Sequence, residues 1–317
     1  MKKILALLLT FVLFLTACTG SHPLTAFDTY SPWTHGETLV YAVEHYSVAV
    51  QNGVDVEDSK LVLATGRQTV TTLREGQYYI ITTEWYLDFE CADDGITVRD
   101  EITTFIRMSD IGRRFHPVES RREVIVRRKT DGNNFLRGDI NPNLSHTIET
   151  NYSALISIFT PHGGTAQSQN IRRGSDVFFD NESLFFIVRA FDTLGGQIQR
   201  FNLNNMFDFH RNSIIAHPMV VTPMTENQSR TIINSDNFVA TEHTPIHNNQ
   251  ISTHAVRIGI DGSRSGQPIH AWYAINDYYY DGNTARKLLV EYMTYTVIFA
   301  TNVQTRIRYR LESVSWV

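Results

Sequence analysis

Cys18 is the residue of this chain with the most defined chemistry. It closes the run Leu15-Thr16-Ala17-Cys18, which follows Met1-Lys2-Lys3 and an apolar stretch from Ile4 to Leu15. A basic start, a short apolar stretch, small residues and then a cysteine make the pattern of a bacterial lipoprotein signal. The apolar run is short for a bilayer-spanning helix, so cleavage is favoured over anchoring by the segment itself. On this reading the Cys18 thiol is diacylated, the chain is cut before it, and Cys18 becomes the first mature residue. Acyl chains contribute about 0.8 kcal/mol of membrane affinity per buried CH2, so a doubly or triply acylated end is a firm anchor. The plainer alternative is a secretory signal whose cleavage site happens to contain cysteine.

The other candidates for chemistry are weaker. Cys91 is the second of two cysteines, so with Cys18 lipidated it has no intrachain partner. Its neighbours Glu90, Asp93 and Asp94 disfavour a thiolate, which argues for an inert thiol. His243, His247, His254 and His270 are the metal candidates, since zinc wants several such ligands in a tetrahedron. Pro245 between the first two disfavours the helix of a zinc peptidase, and exposed loop histidines are the simpler reading. No metal or cofactor is therefore expected. Asp261-Gly262-Ser263-Arg264-Ser265-Gly266 lacks the ordered oxygen ligands of a calcium loop. The chain has no Gly-x-Ser-x-Gly elbow and no phosphate-binding glycine loop, so no catalytic residue is assigned.

Twenty-eight Lys and Arg against 33 Asp and Glu give a formal charge of −5. Loss of Lys2 and Lys3 with the signal makes the mature chain more acidic still. A dedicated nucleic-acid binder needs a net basic face, so that class is excluded. The divisions expected are a signal at residues 1–17, the lipidated cysteine and a polar tether at 18–35, and one β-rich domain at 36–317.

The elements that must position any site are mostly strands. Alternating runs, broken by Gly, Asn and Asp turns, predict strands at Thr38–Val50, Lys60–Thr72, Gln77–Phe89, Ile96–Met108, Arg113–Arg128 and Asn134–Ile140. Six strands with short links describe an antiparallel meander. Further strands are expected at Tyr152–Phe159, Gln197–Asn202, His217–Met224, His254–Ile260, Ile269–Ile275, Ala285–Phe299 and Thr305–Trp316. The Thr225–Gln250 region reads as a long loop or as strands at a sheet edge. One helix is expected after Asp180-Asn181-Glu182-Ser183, running through Leu184, Phe185, Ile187, Val188 and Phe191 to Gly195-Gly196. It is apolar nearly all round and should be buried.

Arg121, Arg122, Arg127, Arg128 and Lys129 form a basic strand. Alternation puts Arg121, Glu123, Ile125 and Arg127 on one side and Arg122, Val124, Val126 and Arg128 on the other. The plain reading is a solvated edge strand protected by charge. The functional reading is a rim that touches anionic lipid headgroups.

Two stretches carry a resemblance. Gly36, Glu37, Leu39, Tyr41 and Val43 match a first strand of the form Gly-Glu-x-Leu-x-Tyr-x-Val, and Asp180, Ser183 and Arg189 match a later helix start. Closing segments Ile269–Tyr273, Leu288–Val290 and Ile307–Leu311 complete the likeness. In these features the chain resembles a family of bacterial envelope proteins known as a domain of unknown function. The resemblance implies a half-open β-barrel similar to lipoprotein carriers of the LolA and LolB type, which hold acyl chains between a curved sheet and helices. The chain departs from the family pattern in the Thr225–Gln250 region, where Thr244-Pro245-Ile246 replaces the usual turn.

The fold expected is therefore mainly β: a large curved antiparallel sheet with one or two helices on its concave face. The function expected is a non-enzymatic, lipid-anchored envelope protein that binds a hydrophobic ligand or a protein partner. Phe185, Phe186, Arg189 and Trp272 are the candidate ligand contacts, because apolar pockets with few polar groups suit lipid-like molecules. The rivals are an envelope hydrolase with an unrecognised site and a purely structural lipoprotein. The site of action expected is the outer membrane of a two-membrane cell, or the outer face of the plasma membrane of a one-membrane cell.

Overall fold

The structure, a computed structural model, describes residues 35–52, 54–90, 97–109, 116–131, 134–137, 140–171, 178–180, 183–184, 189, 199–208, 213–231, 249–260, 269–274, 278–280, 284–286, 288–297 and 303–316. Cys18, Cys91, the tether to residue 34, His243, His247 and the Asp261–Gly266 loop lie outside them.

The first strands are β1 (Glu37–Gln51), β2 (Val54–Asp55), β3 (Leu61–Glu75), β4 (Tyr78–Glu90), β5 (Thr97–Ser109) and β6 (His116–Val126). Then come β7 (Arg128–Asp131), β8 (Asn134–Arg137), β9 (His146–Asn151), β10 (Ile156–Pro161), β11 (Gln167–Asn170) and β12 (Phe178–Asp180). The rest are β13 (Gln199–Asp208), β14 (Ser213–Thr231), β15 (Gln250–Ile260), β16 (Ile269–Ala274), β17 (Tyr278–Tyr280), β18 (Thr284–Arg286), β19 (Leu289–Val297) and β20 (Val303–Trp316). Sixteen of them form one sheet in the order β11-β10-β9-β6-β5-β4-β3-β1-β20-β19-β16-β15-β14-β13-β12, with β2 on the end of β1. Every pairing in it is antiparallel except β12 with β13. The first and last strands pair in the middle of the sheet, so its two halves, one built from β1 to β11 and the other from β12 to β20, are joined by the two ends of the chain.

A sheet this wide must curl. Here it curls until β12, at one edge, lies against β6, the fourth strand from the other edge. The contact is polar and buried. Asp180 accepts hydrogen bonds from Ser120 Oγ at 2.6 Å and from the Tyr152 hydroxyl, and Asp180 is fully buried. The result is a half-open barrel, joined at that point by side chains rather than by a backbone ladder.

The concave face carries the core. Buried residues alternate along β1 as Glu37, Leu39, Tyr41 and Val43. The register then shifts between His45 and Tyr46, and Tyr46 and Val48 become the buried positions. A bulge of this kind flips the side-chain parity and sharpens the local twist. Every member of the main core cluster lies between Leu39 and Val314, so a chain from Thr19 to Val317 carries the whole described core. Gly66 allows β3 and β4 to approach: a Cβ there would overlap the carbonyl oxygen of Tyr86 and meet Leu87 Cα at 3.0 Å. The two-residue Gly76-Gln77 link between β3 and β4 needs a positive φ, and Gly76 has φ +59°.

Several expectations are corrected. The basic strand β6 is not an edge: it pairs with β5 on one side and β9 on the other. Strand β9 escaped the sequence reading because His146-Thr147-Ile148-Glu149-Thr150-Asn151 is polar outside Ile148, although His146 and Thr150 are also buried. The strand expected at Asn134–Ile140 does not extend the meander. It forms a separate hairpin with β7, because β9 has taken the free edge of β6. Gln167–Asn170, polar and exposed, is nonetheless an edge strand, since its backbone pairs with β10. Of the two readings of the Thr225–Gln250 region, the described part, Thr225–Thr231, is strand: it continues β14, pairs with β15 after a register break at Pro223, and lies beyond the stretch of β14 that pairs with β13. Proline has no N–H to give the ladder, and the break accommodates it. Among the described residues helix is confined to a 3-10 turn at Glu57–Ser59 and to Ser183 and Leu184. The rest of the helix expected after Asp180, Phe185 and Phe186 included, lies outside the described residues. No described helix is long and apolar enough to cross a membrane.

Candidate ligand cavity

The strand registers build two rows of side chains across the concave face. One row runs Leu39 (β1), Val70 (β3), Thr83 (β4), Thr104 (β5) and Arg122 (β6). The next runs Tyr41, Gln68, Trp85 and Ile102 on β1, β3, β4 and β5. Tyr292 and Thr294 of β19 lie opposite Tyr309 and Ile307 of β20 and extend the wall beyond β1. Together with Leu289, Leu184 and Arg189 these side chains enclose a cavity of about 370 Å3. Period-two alternation is what brings them together, since each strand sends only every second residue inward.

Arg189 is held by Glu37 of β1. Its Nη1 donates to Glu37 Oε1 at 2.5 Å and its Nη2 to Glu37 Oε2 at 3.0 Å, with both side chains almost wholly buried. The planar guanidinium matches the carboxylate fork, which is the geometry that offsets the cost of burying both charges. Ser183 Oγ donates to the Asp180 carbonyl at 2.7 Å, as a local turn bond would. The segment that follows β12 is thus fastened at Asp180 and at Arg189, with Leu184 over the cavity between them.

Three tyrosines make the floor. Tyr292 stacks on Tyr309 with centroids 4.0 Å apart and meets Tyr41 edge-on at 5.6 Å. Tyr41 donates to the Leu289 carbonyl at 3.0 Å, and Tyr292 donates to Gln68 Oε1. Burial raises the pKa of all three. At Tyr41 the Arg189 charge works against it and Glu37 adds to it. At Tyr292 the neighbouring Tyr309 and Tyr41 add to it. At Tyr309 the adjacent Trp85 and Arg122 oppose it. All three hydroxyls are therefore neutral donors, not phenolate bases, at physiological pH. The Trp85 indole N–H is buried and makes no hydrogen bond of good geometry.

The structure separates the basic residues of β6. Arg122 faces the cavity, whereas Arg121 is exposed on the other face near Glu149 at 3.8 Å and Glu123 at 4.0 Å. Val124 and Val126, on the Arg122 side, are buried. Trp272 is on β16 in register with Glu291, one position out of step with Ala271, Tyr292 and Tyr309. Phe185, Phe186 and the side chain of Trp272 lie outside what is described; Arg189, the remaining candidate contact, lines the cavity. Tyr41 and Glu37 belonged to the sequence motif and Tyr309 to the closing segment Ile307–Leu311, but Gln68 and Tyr292 carried no signal beyond inward alternation.

His270 lies opposite Arg257. Burial, then the charges of Arg257, Arg306 and Arg230, push its pKa down to about 4. A neutral imidazole facing three guanidinium groups is a poor place for a cation. His254 is on β15, opposite Tyr273. Among the described residues no group of three or more His, Cys, Asp or Glu is placed to hold a metal ion.

The sequence matches no known family profile and no curated protein. Among solved structures the chain is similar to a β-barrel-like protein of a domain of unknown function, DUF1849, from Brucella abortus. That likeness has 8% identity and a TM-score of 0.47, over 89% of this chain and 98% of the other.

Proposed function

We propose that this protein is a lipid-anchored component of the bacterial cell envelope that holds a hydrophobic or lipid-like ligand in the cavity of its curved sheet and catalyses no reaction. The observation that carries the reading is the cavity itself. Its volume of about 370 Å3 falls within the roughly 300–1,000 Å3 of small-molecule sites, and most of its wall is apolar or aromatic. A structural lipoprotein would fill that space with side chains. Among the described residues the lining holds no histidine, serine, cysteine or carboxylate, so it offers no nucleophile–base pair of the usual kind. The signal ending at Cys18 supports attachment to the membrane and a place outside the cytoplasm. The resemblance to LolA and LolB type carriers fits a role in holding acyl chains, with the membrane supplying the ligand.

The test is native mass spectrometry of Thr19 to Val317 purified gently from bacteria, followed by denaturing extraction. A stoichiometric apolar molecule, lost when Thr83→Trp fills the cavity of a still-folded protein, is the expected result. A clean apo mass that stays unchanged after incubation with membrane lipids would remove the ligand-binding reading.

A further inference from the structure

The hydrogen bonds already made around the cavity decide which polar groups remain for a ligand. Tyr41 gives its proton to the Leu289 carbonyl, and Tyr292 gives its proton to Gln68 Oε1. Arg189 is occupied by Glu37, and Arg122 has a partner of its own. Neither arginine of the lining is therefore a vacant counter-charge. Gln68 is different. With Oε1 taken by Tyr292, its amide N–H groups have no acceptor among the described residues. Trp85 lies directly opposite Gln68 across β3 and β4, and its indole N–H is buried without a hydrogen bond of good geometry. Two neutral donors thus stand side by side in the wall. Thr83, next on the same face of β4, and Thr104 opposite it on β5 add hydroxyls. Leu39, Leu289 and Ile307 supply apolar wall. A carbonyl oxygen has two lone pairs and can accept from both donors at once. An ion buried here without a counter-charge costs far more than a neutral group that makes its hydrogen bonds.

We infer that the cavity takes an uncharged acyl ester or amide, with its carbonyl oxygen at Gln68 and Trp85 and its chain against Leu39, Leu289 and Ile307. This rests on the ligand-binding reading and refines it. A free fatty acid is ionised at neutral pH and brings a charge that the wall does not balance. The same acyl chain in ester or amide linkage brings only the acceptor that the two donors lack.

The experiment is a titration of 15N-labelled Thr19 to Val317, followed by the indole N–H resonances of its four tryptophans. The probes are N-methyloctanamide, methyl octanoate, octanoate, octylammonium and 1-chlorooctane, which is uncharged and has no carbonyl. The expected result is that the amide and the ester bind about tenfold or more tighter than either ion. They also move one indole resonance, the one absent from Trp85→Phe, whereas 1-chlorooctane binds without giving it a hydrogen-bond shift. Trp85→Phe weakens amide binding about three- to tenfold and leaves 1-chlorooctane binding unchanged, which also shows that the cavity persists. Gln68→Met does the same and serves if the phenylalanine variant does not fold. N-methyloctanamide against methyl octanoate tells an amide ligand from an ester. Octanoate binding as tightly as the amide, or variants that weaken amide and 1-chlorooctane alike, would overturn the inference and leave the apolar-ligand reading standing. No binding of any probe would overturn both.

Discussion

Arg189 grips Glu37 with both arms of its guanidinium, across 152 residues of chain, and both side chains are buried. The pair joins the segment after β12 to the first strand of the sheet. Removing one partner strands the other charge in the interior. Arg189→Ala or Glu37→Gln should each lower stability by about 3–5 kcal/mol. Replacing both by apolar residues of similar size, Glu37→Leu with Arg189→Met, should restore most of it. Urea unfolding midpoints decide the matter. A single variant with an unchanged midpoint would mean that the pair fastens nothing.

Asp180 fixes β12 onto β6 through Ser120 and Tyr152. Tyr152→Phe should cost about 1–3 kcal/mol, because it leaves a buried carboxylate short of a donor. Ser120→Ala should show positive coupling to it in a double-mutant cycle. Faster amide exchange confined to the β12–β13 edge is the expected signature. Strictly additive losses with uniform exchange would show that Asp180 does not hold the edge as one unit.

Gly66 is required by the contact between β3 and β4. Gly66→Ala puts a methyl group into the Tyr86 carbonyl, and the obstacle is backbone, not a side chain that can swing away. The expected loss is about 1–3 kcal/mol or more. Gly76→Ala is a useful comparison. Its Cβ meets nothing within 4 Å, so its cost is only that of a positive φ. Thermal melts in which the two variants lose equally would contradict the close approach.

His270 gives the protein an acid-sensitive side. Its ordinary pKa is 6.5, and in the fold it falls to about 4. Between these values the unfolded chain binds a proton that the folded chain refuses. Stability therefore falls as pH drops through this window and gains nothing from His270 above it. His146 is shifted in the same direction, chiefly by burial, and adds to the slope. Denaturant midpoints measured from neutral pH down to about pH 4 should decline less steeply in His270→Gln than in the parent. Parallel curves would show that His270 titrates normally.

The sequence determined by itself what depends on near neighbours. Alternation and Gly-containing turns placed β1, β3, β4, β5 and β20 to within a few residues, because each strand's burial pattern is written along its own length. The motif around Glu37 and Tyr41 and the later Arg189 also stood out locally, without showing that Glu37 and Arg189 meet. Only the tertiary structure decided the partners. That β1 pairs with β20, that β9 covers the basic strand, and that Arg122 turns into a cavity while Arg121 turns away are facts about long-range register and curl. A one-residue slip would exchange those two arginines, and the register that prevents it is set by strands far apart in the chain. Polar strands such as β9 and β11 were hidden for the same reason: their pairing is made by the backbone, which every sequence shares.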